Sequence, residues 1–310
     1  YPFFARITGS NGCADTFESN VKIAPPPVAN FRWDANCIGE KTQFYDSTEA
    51  FNDYITSYYW SFDDGSISRQ RNPLKTYNND RSYTVRFRVR NSAGCVKDTS
   101  KTVVVYSRPV VAFYANAVCH EDSTNFVQLS SAKQEIEYYD WDFADGNYSK
   151  EWAPKHLYSG PDNYFVKLRI KTVHGCWDSS SRWIFVDPNP IADIRLLGDS
   201  VQCFTQHNFK LEDVSSIVSG STTAQWDFAD GSTAFSKFSQ KRYVDTGTFT
   251  IRLISVSNYG CRDTDYQKLT VLPSVNPDFN IDKTNQCYRG NKFKFTDQSI
   301  KKAGSYDLLW

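Results

Sequence analysis

Neither sign of charge prevails in this chain. Lys+Arg and Asp+Glu are both 35, so the net charge is zero. No basic field is available to hold nucleic acid or an anionic membrane surface. A run of 18 apolar residues is also missing, so no segment reads as a helical membrane span. No signal peptide is visible. The first residue is Tyr1, not methionine, and the expectation is a piece of something longer. Cys-x-x-Cys does not occur, and His120, His156, His174 and His207 occupy unrelated positions, which leaves no zinc pattern. There is no phosphate-cradling glycine-rich loop. No single-copy Ser/His/Asp setting suggests a triad. No apolar stripe of helical period stands out. These absences predict a chain with no helix, no cofactor and no catalytic centre.

What the chain has is repetition. Trp-x-Phe-x-Asp-Gly occurs as Trp60–Gly65, Trp141–Gly146 and Trp226–Gly231, and Trp310 closes the chain. The tryptophan steps are 81 (141−60), 85 (226−141) and 84 (310−226) residues. A fixed period of this size means one unit copied in tandem. Trp60, Phe62 and Gly65, Trp141, Phe143 and Gly146, and Trp226, Phe228 and Gly231 are then the structural core of the repeat. Gly-Cys recurs with the same period at Cys13, Cys95, Cys176 and Cys261. One further cysteine precedes an alternating strand in each copy: Cys37, Cys119, Cys203 and Cys287.

One unit reads as a two-sheet sandwich. Val28 to Trp33 is expected as strand A and Thr42 to Asp46 as strand B. Tyr58, Trp60 and Phe62 share one face of strand C, by the period of two along a strand. Asp64-Gly65 ends that strand, because glycine accepts positive φ without steric cost. Tyr83, Val85, Phe87 and Val89 alternate with polar residues as strand F. Strand G is expected at Thr102–Val105. Aromatic residues make up 16% of the chain, enough to fill a thin sandwich core. The resulting expectation is all-β, with seven short strands per unit in two packed sheets. The units are 25–107, 108–188 and 189–273. Residues 1–24 match the last strands of a preceding unit, and 274–310 the first strands of a following one.

Trp-Asp-Phe-Ala-Asp-Gly, a Pro-x-x-x-Tyr step at Pro73–Tyr77 and Pro154–Tyr158, and alternating Tyr-x-Val-x-Leu ending in Gly-Cys resemble the PKD (polycystic kidney disease) domain. This chain has Asp63, Ala144 and Ala229 where that family prefers glycine, and Gln240 where it has the proline. The resemblance implies tandem immunoglobulin-like sandwiches in an extended array, usually extracellular. With two cysteines per unit, the chain resembles repeats of large Bacteroidota surface proteins, including gliding-motility adhesins and other type IX secretion cargo. The partners this implies are neighbouring units of the same chain, surface glycans or other surface proteins.

Eight cysteines in an enzyme-poor chain read as disulfides of an oxidising compartment. Two pairings compete. Within units the pairs are Cys37–Cys95, Cys119–Cys176 and Cys203–Cys261. Between units they are Cys37–Cys176 and Cys119–Cys261, with the partners of Cys13, Cys95, Cys203 and Cys287 outside the chain. Loop entropy barely separates them, at about 4 against about 5 kcal/mol. The A–B and F–G turns of one sandwich lie a strand length apart, roughly 20 Å, whereas a disulfide needs Cα atoms within about 7 Å. Stacked units bring the A–B end of one to the F–G end of the next, which favours bridges between units. Asp64, Asp145 and Asp230 are calcium candidates by residue type, although Asp capping its own turn explains them more simply. Trp152, Trp177 and Trp183 crowd into one unit and are candidates for a carbohydrate or partner patch. The functional expectation is a stalk segment of a secreted surface protein that carries force to a distal binding region. The alternative is a non-catalytic spacer or carbohydrate-binding region of a secreted glycanase or protease.

Overall fold

The computed structural model describes residues 1–20, 22–34, 37–51, 53–301, 305 and 307. Every regular element among them is a β-strand. Trp310, read above as a fourth repeat tryptophan, lies outside the described residues. The chain divides into two compact units.

The first unit holds residues 1–114, 126–154 and 165–182. It opens with a hairpin, Pro2–Thr8 against Ala14–Asn20, in register from Pro2↔Asn20 to Thr8↔Ala14. The first repeat follows as two sheets. One has Phe31–Trp33, Lys41–Asp46 and Leu74–Thr76; the other has Ile67–Ser68, Ile55–Ser61, Ser82–Asn91 and Val96–Val104. Ser82–Asn91 alternates strictly between exposed and buried. That alternation drives Tyr83, Val85, Phe87 and Val89 into one core with Phe31, Phe44, Trp60 and Phe62. Trp60 stacks on Phe87 at 3.9 Å between centroids, and Phe31 meets its edge at 5.2 Å. Strand C of the second repeat, Ile136–Asp142, pairs with the next long strand from Asp142↔Lys167 to Ile136↔Thr172. There Trp141 packs against Phe113 and Phe126.

The second unit holds residues 115–125, 155–164 and 183–310. Its largest body is the third repeat. Ile194–Leu196, Phe209–Asp213 and Phe238–Lys241 form one sheet. The other runs Val201–Cys203, Arg262–Leu272, Gly247–Ser257, Thr222–Asp227, Thr233–Ala234. The core between them includes Phe209, Leu211, Trp226, Ile251, Leu253 and Leu269. Two short pairs close the unit: Val275–Asn276 with Ile300–Lys301, and Phe279–Ile281 with Phe295–Asp297.

Two strand limits differ from the sequence reading. Strand G of the first repeat begins at Val96, not Thr102, and pairs from Arg90↔Val96 onward. Residues 96–98 are polar or exposed because this is an edge strand, so they carry no apolar signal. Strand A is only Phe31–Trp33. Ahead of it Val28 makes an isolated bridge to Glu49, and the Phe31 amide donates to the Asn30 side chain at 2.9 Å. The bonded pairs on this side are Val28 with Glu49, Asn30 with Ser47 and Asp34 with Gln43, so the Phe31 amide faces away from the partner strand and the Asn30 side chain satisfies it locally.

Candidate functional site: the cysteine-bridged repeat junctions

The F–G turn is built the same way four times. An amide four residues before the cysteine donates to the cysteine carbonyl: Gly9 to Cys13, Asn91 to Cys95, Thr172 to Cys176 and Ser257 to Cys261, at 2.8–3.1 Å. The glycine before each cysteine closes the turn at positive φ: Gly12 at 83°, Gly94 at 89°, Gly175 at 84° and Gly260 at 92°. Few side chains tolerate that backbone, which accounts for the Gly-Cys pair.

The A–B cysteine is held by a different device. Cys37, Cys119 and Cys203 each lie parallel to a residue at the end of strand G of their own repeat: Tyr106, Asp187 and Leu272. The next amide donates to that same residue. Ile38 reaches the Tyr106 carbonyl at 2.9 Å, His120 that of Asp187 at 2.8 Å, and Phe204 that of Leu272 at 2.9 Å.

In the first unit Cys37 and Cys176 are joined, with Cα atoms 5.5 Å apart and 139 residues between them in sequence. Both are buried. The Cys176 sulfur lies 3.9 Å from the Tyr106 carbonyl. The Tyr106 ring stacks on His174 at 3.7 Å with a 12° interplanar angle. Arg108 pairs with Glu40 at 3.0 Å, Lys133 with Asp80 at 2.6 Å, and Ser107 donates to Gln134 at 2.9 Å. In the second unit Cys119 and Cys261 are joined, with Cα atoms 5.6 Å apart and a separation of 142. The Cys261 sulfur lies 4.0 Å from the Asp187 carbonyl, and Asn189 donates to the His120 carbonyl at 2.7 Å. Burial raises the Asp187 carboxyl above its usual value. Each bridge therefore joins the A–B turn of one repeat to the F–G turn of the next, and each sits on the peptide that links the two.

Cys13, Cys95, Cys203 and Cys287 are free thiols. Cys95 nonetheless sits as Cys176 and Cys261 do: its sulfur is 3.8 Å from the Ala24 carbonyl, and Asn91 donates to the Pro25 carbonyl at 3.4 Å. Cys203 is exposed in the seat that holds Cys37 and Cys119. The linker residues Tyr106, Asp187 and Leu272 were missed in the sequence. The available signal was their spacing from the A–B cysteine: 69 (106−37), 68 (187−119) and 69 (272−203) residues.

The other candidates fall elsewhere. Trp60, Trp141 and Trp226 are almost wholly buried, and their indole N–H groups donate to the carbonyls of Gln70, Glu151 and Ser236, each at 2.9 Å. Phe62, Phe143 and Phe228 are buried beside them. Gly65, Gly146 and Gly231 take φ of 83°, 91° and 86°. Asp64 accepts from the Ser66 amide at 3.0 Å and touches the Lys75 ammonium at 2.5 Å; Asp230 accepts from Ser232 at 3.1 Å and touches Lys241 at 2.5 Å. Asp145 accepts from the Asn147 amide at 3.0 Å. These carboxylates cap their own turns, and in two repeats a lysine supplies the cation. Trp152, Trp177 and Trp183 are exposed, and the Arg169 guanidinium lies over the Trp177 ring at 4.4 Å.

Tandem two-sheet sandwiches of immunoglobulin type, each carrying the same tryptophan-centred core, define the class: an all-β domain array. Residues 24–106, 106–185 and 188–271 each match the PKD domain family, and the chain belongs to it. PKD domains are non-catalytic modules and occur in extracellular proteins. The chain is 34% identical over 73 residues to collagenase ColA of Bacillus cereus, a stretch covering 23% of this chain and 8% of the collagenase. It thus spans less than a tenth of that relative's length. It is also similar to the PKD1 domain of Vibrio anguillarum Epp, at 25% identity and a TM-score of 0.26, covering 27% of this chain and 96% of that one. The PKD1 domain of the Vibrio cholerae metalloprotease PrtV matches at 25% identity and a TM-score of 0.25, covering 26% and 98%.

Proposed function

We propose that this chain is a structural and adhesive segment of a large secreted surface protein, of the kind Bacteroidota carry as gliding-motility adhesins and type IX secretion cargo. Its repeats, taken as 25–107, 108–188 and 189–273, form part of a stalk that transmits force to a distal binding region. The observation that supports this most is the pair of bridges from one repeat to the next, each seated on the linker peptide. A spacer that only set distance would need no covalent tie across its junctions. Disulfides of this type belong to an oxidising compartment outside the cytosol. In this reading Cys13, Cys95, Cys203 and Cys287 pair with cysteines of further repeats. Surface glycans or other surface proteins are the expected partners of the parent protein.

The test is made on intact cells. A membrane-impermeant biotinylation reagent labels the parent protein, and shear-resistant attachment falls when Cys37 and Cys119 are both serine. Unlabelled protein, or attachment that ignores the bridges, overturns the proposal. The stretch shared with a Bacillus cereus collagenase favours a second reading, a non-catalytic spacer beside a secreted glycanase or protease domain. The parent's domain content separates the two: many PKD repeats favour the stalk, and a few beside one catalytic domain favour the spacer.

A further inference from the structure

The two bridges overlap in sequence: Cys119 falls inside the loop closed by Cys37–Cys176, and Cys176 inside the loop closed by Cys119–Cys261. From this connectivity we infer that the bridges form a crossed covalent strut that reroutes tension around the linkers and tolerates the loss of either bridge. The inference deepens the force-bearing reading and rests on it for its biological use.

Consider tension applied between the two ends of the chain. With both bridges closed, the shortest covalent route enters at Cys37 and crosses to Cys176. It then runs backward along the chain to Cys119, crosses to Cys261 and leaves. The backward leg is about 57 residues (176−119). The whole route uses fewer than half of the 310 residues. Residues 38–118 and 177–260 lie off it. Those segments hold most of the first and third repeats and the linker peptides at Tyr106 and Asp187. Unravelling them under load releases no length, because the bridge spanning each is already taut.

The crossing makes the device redundant. Without Cys119–Cys261, the route runs forward from Cys176 to Cys261, about 85 residues (261−176) in place of 57. Without Cys37–Cys176, it runs from Cys37 to Cys119, about 82 residues (119−37) in place of 57. Either loss adds only about 25–28 residues, roughly 90–100 Å at full extension. Loss of both frees the whole chain and adds roughly 600 Å. Bridges placed one after the other without overlap would release length additively. These do not, because the segment shared by both loops can be traversed in either direction.

The experiment is single-molecule pulling of the full chain held at its two ends, with Cys13, Cys95, Cys203 and Cys287 changed to serine so that only the two bridges form. Four species are compared: the oxidised chain, Cys37→Ser, Cys119→Ser, and the double variant. The readout is the contour length after complete unfolding, which does not require any variant to fold well. The expected result is a small gain of roughly 90–100 Å for each single variant and roughly 600 Å for the double. Single gains that sum to the double gain, or an oxidised chain as long as the double variant, overturn the crossed strut. The two failures are separable. A crossed contour length in the purified chain, together with attachment that ignores both bridges on cells, keeps the strut and removes the adhesive role.

Discussion

The turn that ends strand C is held by different carboxylates in the first and third repeats. In the third, Asp227 accepts the Ala229 amide at 3.0 Å with one oxygen and Arg252 at 3.1 Å with the other. In the first, Ser61 stands where Asp227 does, and the carboxylate has moved two residues on, to Asp63. From there it reaches forward: its oxygen accepts the Thr84 amide at 3.1 Å, and Arg81 donates back to the Asp63 carbonyl at 3.0 Å. The backbone is the same in both, left-handed at φ 62° for Asp63 and 61° for Ala229. An L-residue there is strained, less so for Asp, whose short polar side chain bonds locally. The turn's backbone is thus the fixed element, and the side chain that holds it can be relocated.

The sharpest way to break that lesson is to move the carboxylate. Asp63→Ala loses the carboxylate's bond to the Thr84 amide and its 3.5 Å ion pair with Arg81, while the Arg81 bond to the residue 63 carbonyl stays. The loss is expected to cost about 2 kcal/mol in urea unfolding of the first repeat. Adding Ser61→Asp copies the third repeat's arrangement and is expected to recover about half of that loss. A double variant no better than Asp63→Ala would show that the two carboxylates are not interchangeable.

What both turns share is the next aspartate. Burial works to raise the Asp230 carboxyl, but the Lys241 ammonium and the Ser232 donors reverse this and hold it at about 2. Asp64 is lowered for the same reasons, burial opposed by Lys75 and Ser66. A carboxyl whose folded value is depressed contributes stability that is complete above its unfolded value, near 4. That contribution is lost as pH falls through the folded value. The third repeat should therefore lose about 1 kcal/mol between roughly pH 4 and pH 2, after discounting for partial exposure of the pair. Lys241→Met should flatten this part of the acid titration followed by circular dichroism, and an unchanged acid limb would count against the clamp.

The left-handed residue itself gives a smaller effect. Ala229→Gly removes backbone strain without removing a contact, and a gain of about 0.5–1 kcal/mol is expected. Asp63→Gly relieves the same strain but also loses the carboxylate bonds, so no gain is expected there. Equal gains at both positions would mean that the bonds of Asp63 contribute nothing.

Much of this architecture is visible in the residues. The alternation of Tyr83, Val85, Phe87 and Val89 reports a half-buried strand directly, because period two along a strand is the period of burial. The hexapeptide reports itself by recurrence, and its three tryptophans are almost wholly buried. The start of strand G is not visible, since an exposed edge strand needs no apolar pattern. The seats of the A–B cysteines are hidden for another reason. They are made of linker carbonyls at Tyr106, Asp187 and Leu272, and a backbone carbonyl is the same whatever side chain it carries.

The smallest expected effect separates the repeats at their tyrosines. Tyr83 and Tyr164 open strand F and donate back to the Asn79 and Gly160 carbonyls, at 3.1 and 2.9 Å. The third repeat has Phe249 at that place, which from sequence makes the hydroxyl look dispensable. Its stacking partner Tyr243, 3.6 Å away, instead donates to the Phe228 carbonyl at 3.0 Å. In the third repeat the phenol bond thus comes from the neighbouring ring and reaches the end of strand C instead of the residues ahead of strand F. In the first repeat the counterpart of Tyr243 is Tyr77, whose ring lies tilted against that of Tyr83 at 4.2 Å between centroids. Its buried hydroxyl has no hydrogen-bond partner among the described residues. Burying such a group costs free energy that a phenyl ring of the same shape does not incur. Tyr77→Phe should accordingly leave the first repeat unchanged or more stable by about 0.5 kcal/mol, whereas Tyr243→Phe should cost the third about 0.5–1 kcal/mol. Matched urea midpoints for both pairs of proteins would show that the two rings are equivalent after all, and that the anchoring hydroxyl has no preferred ring.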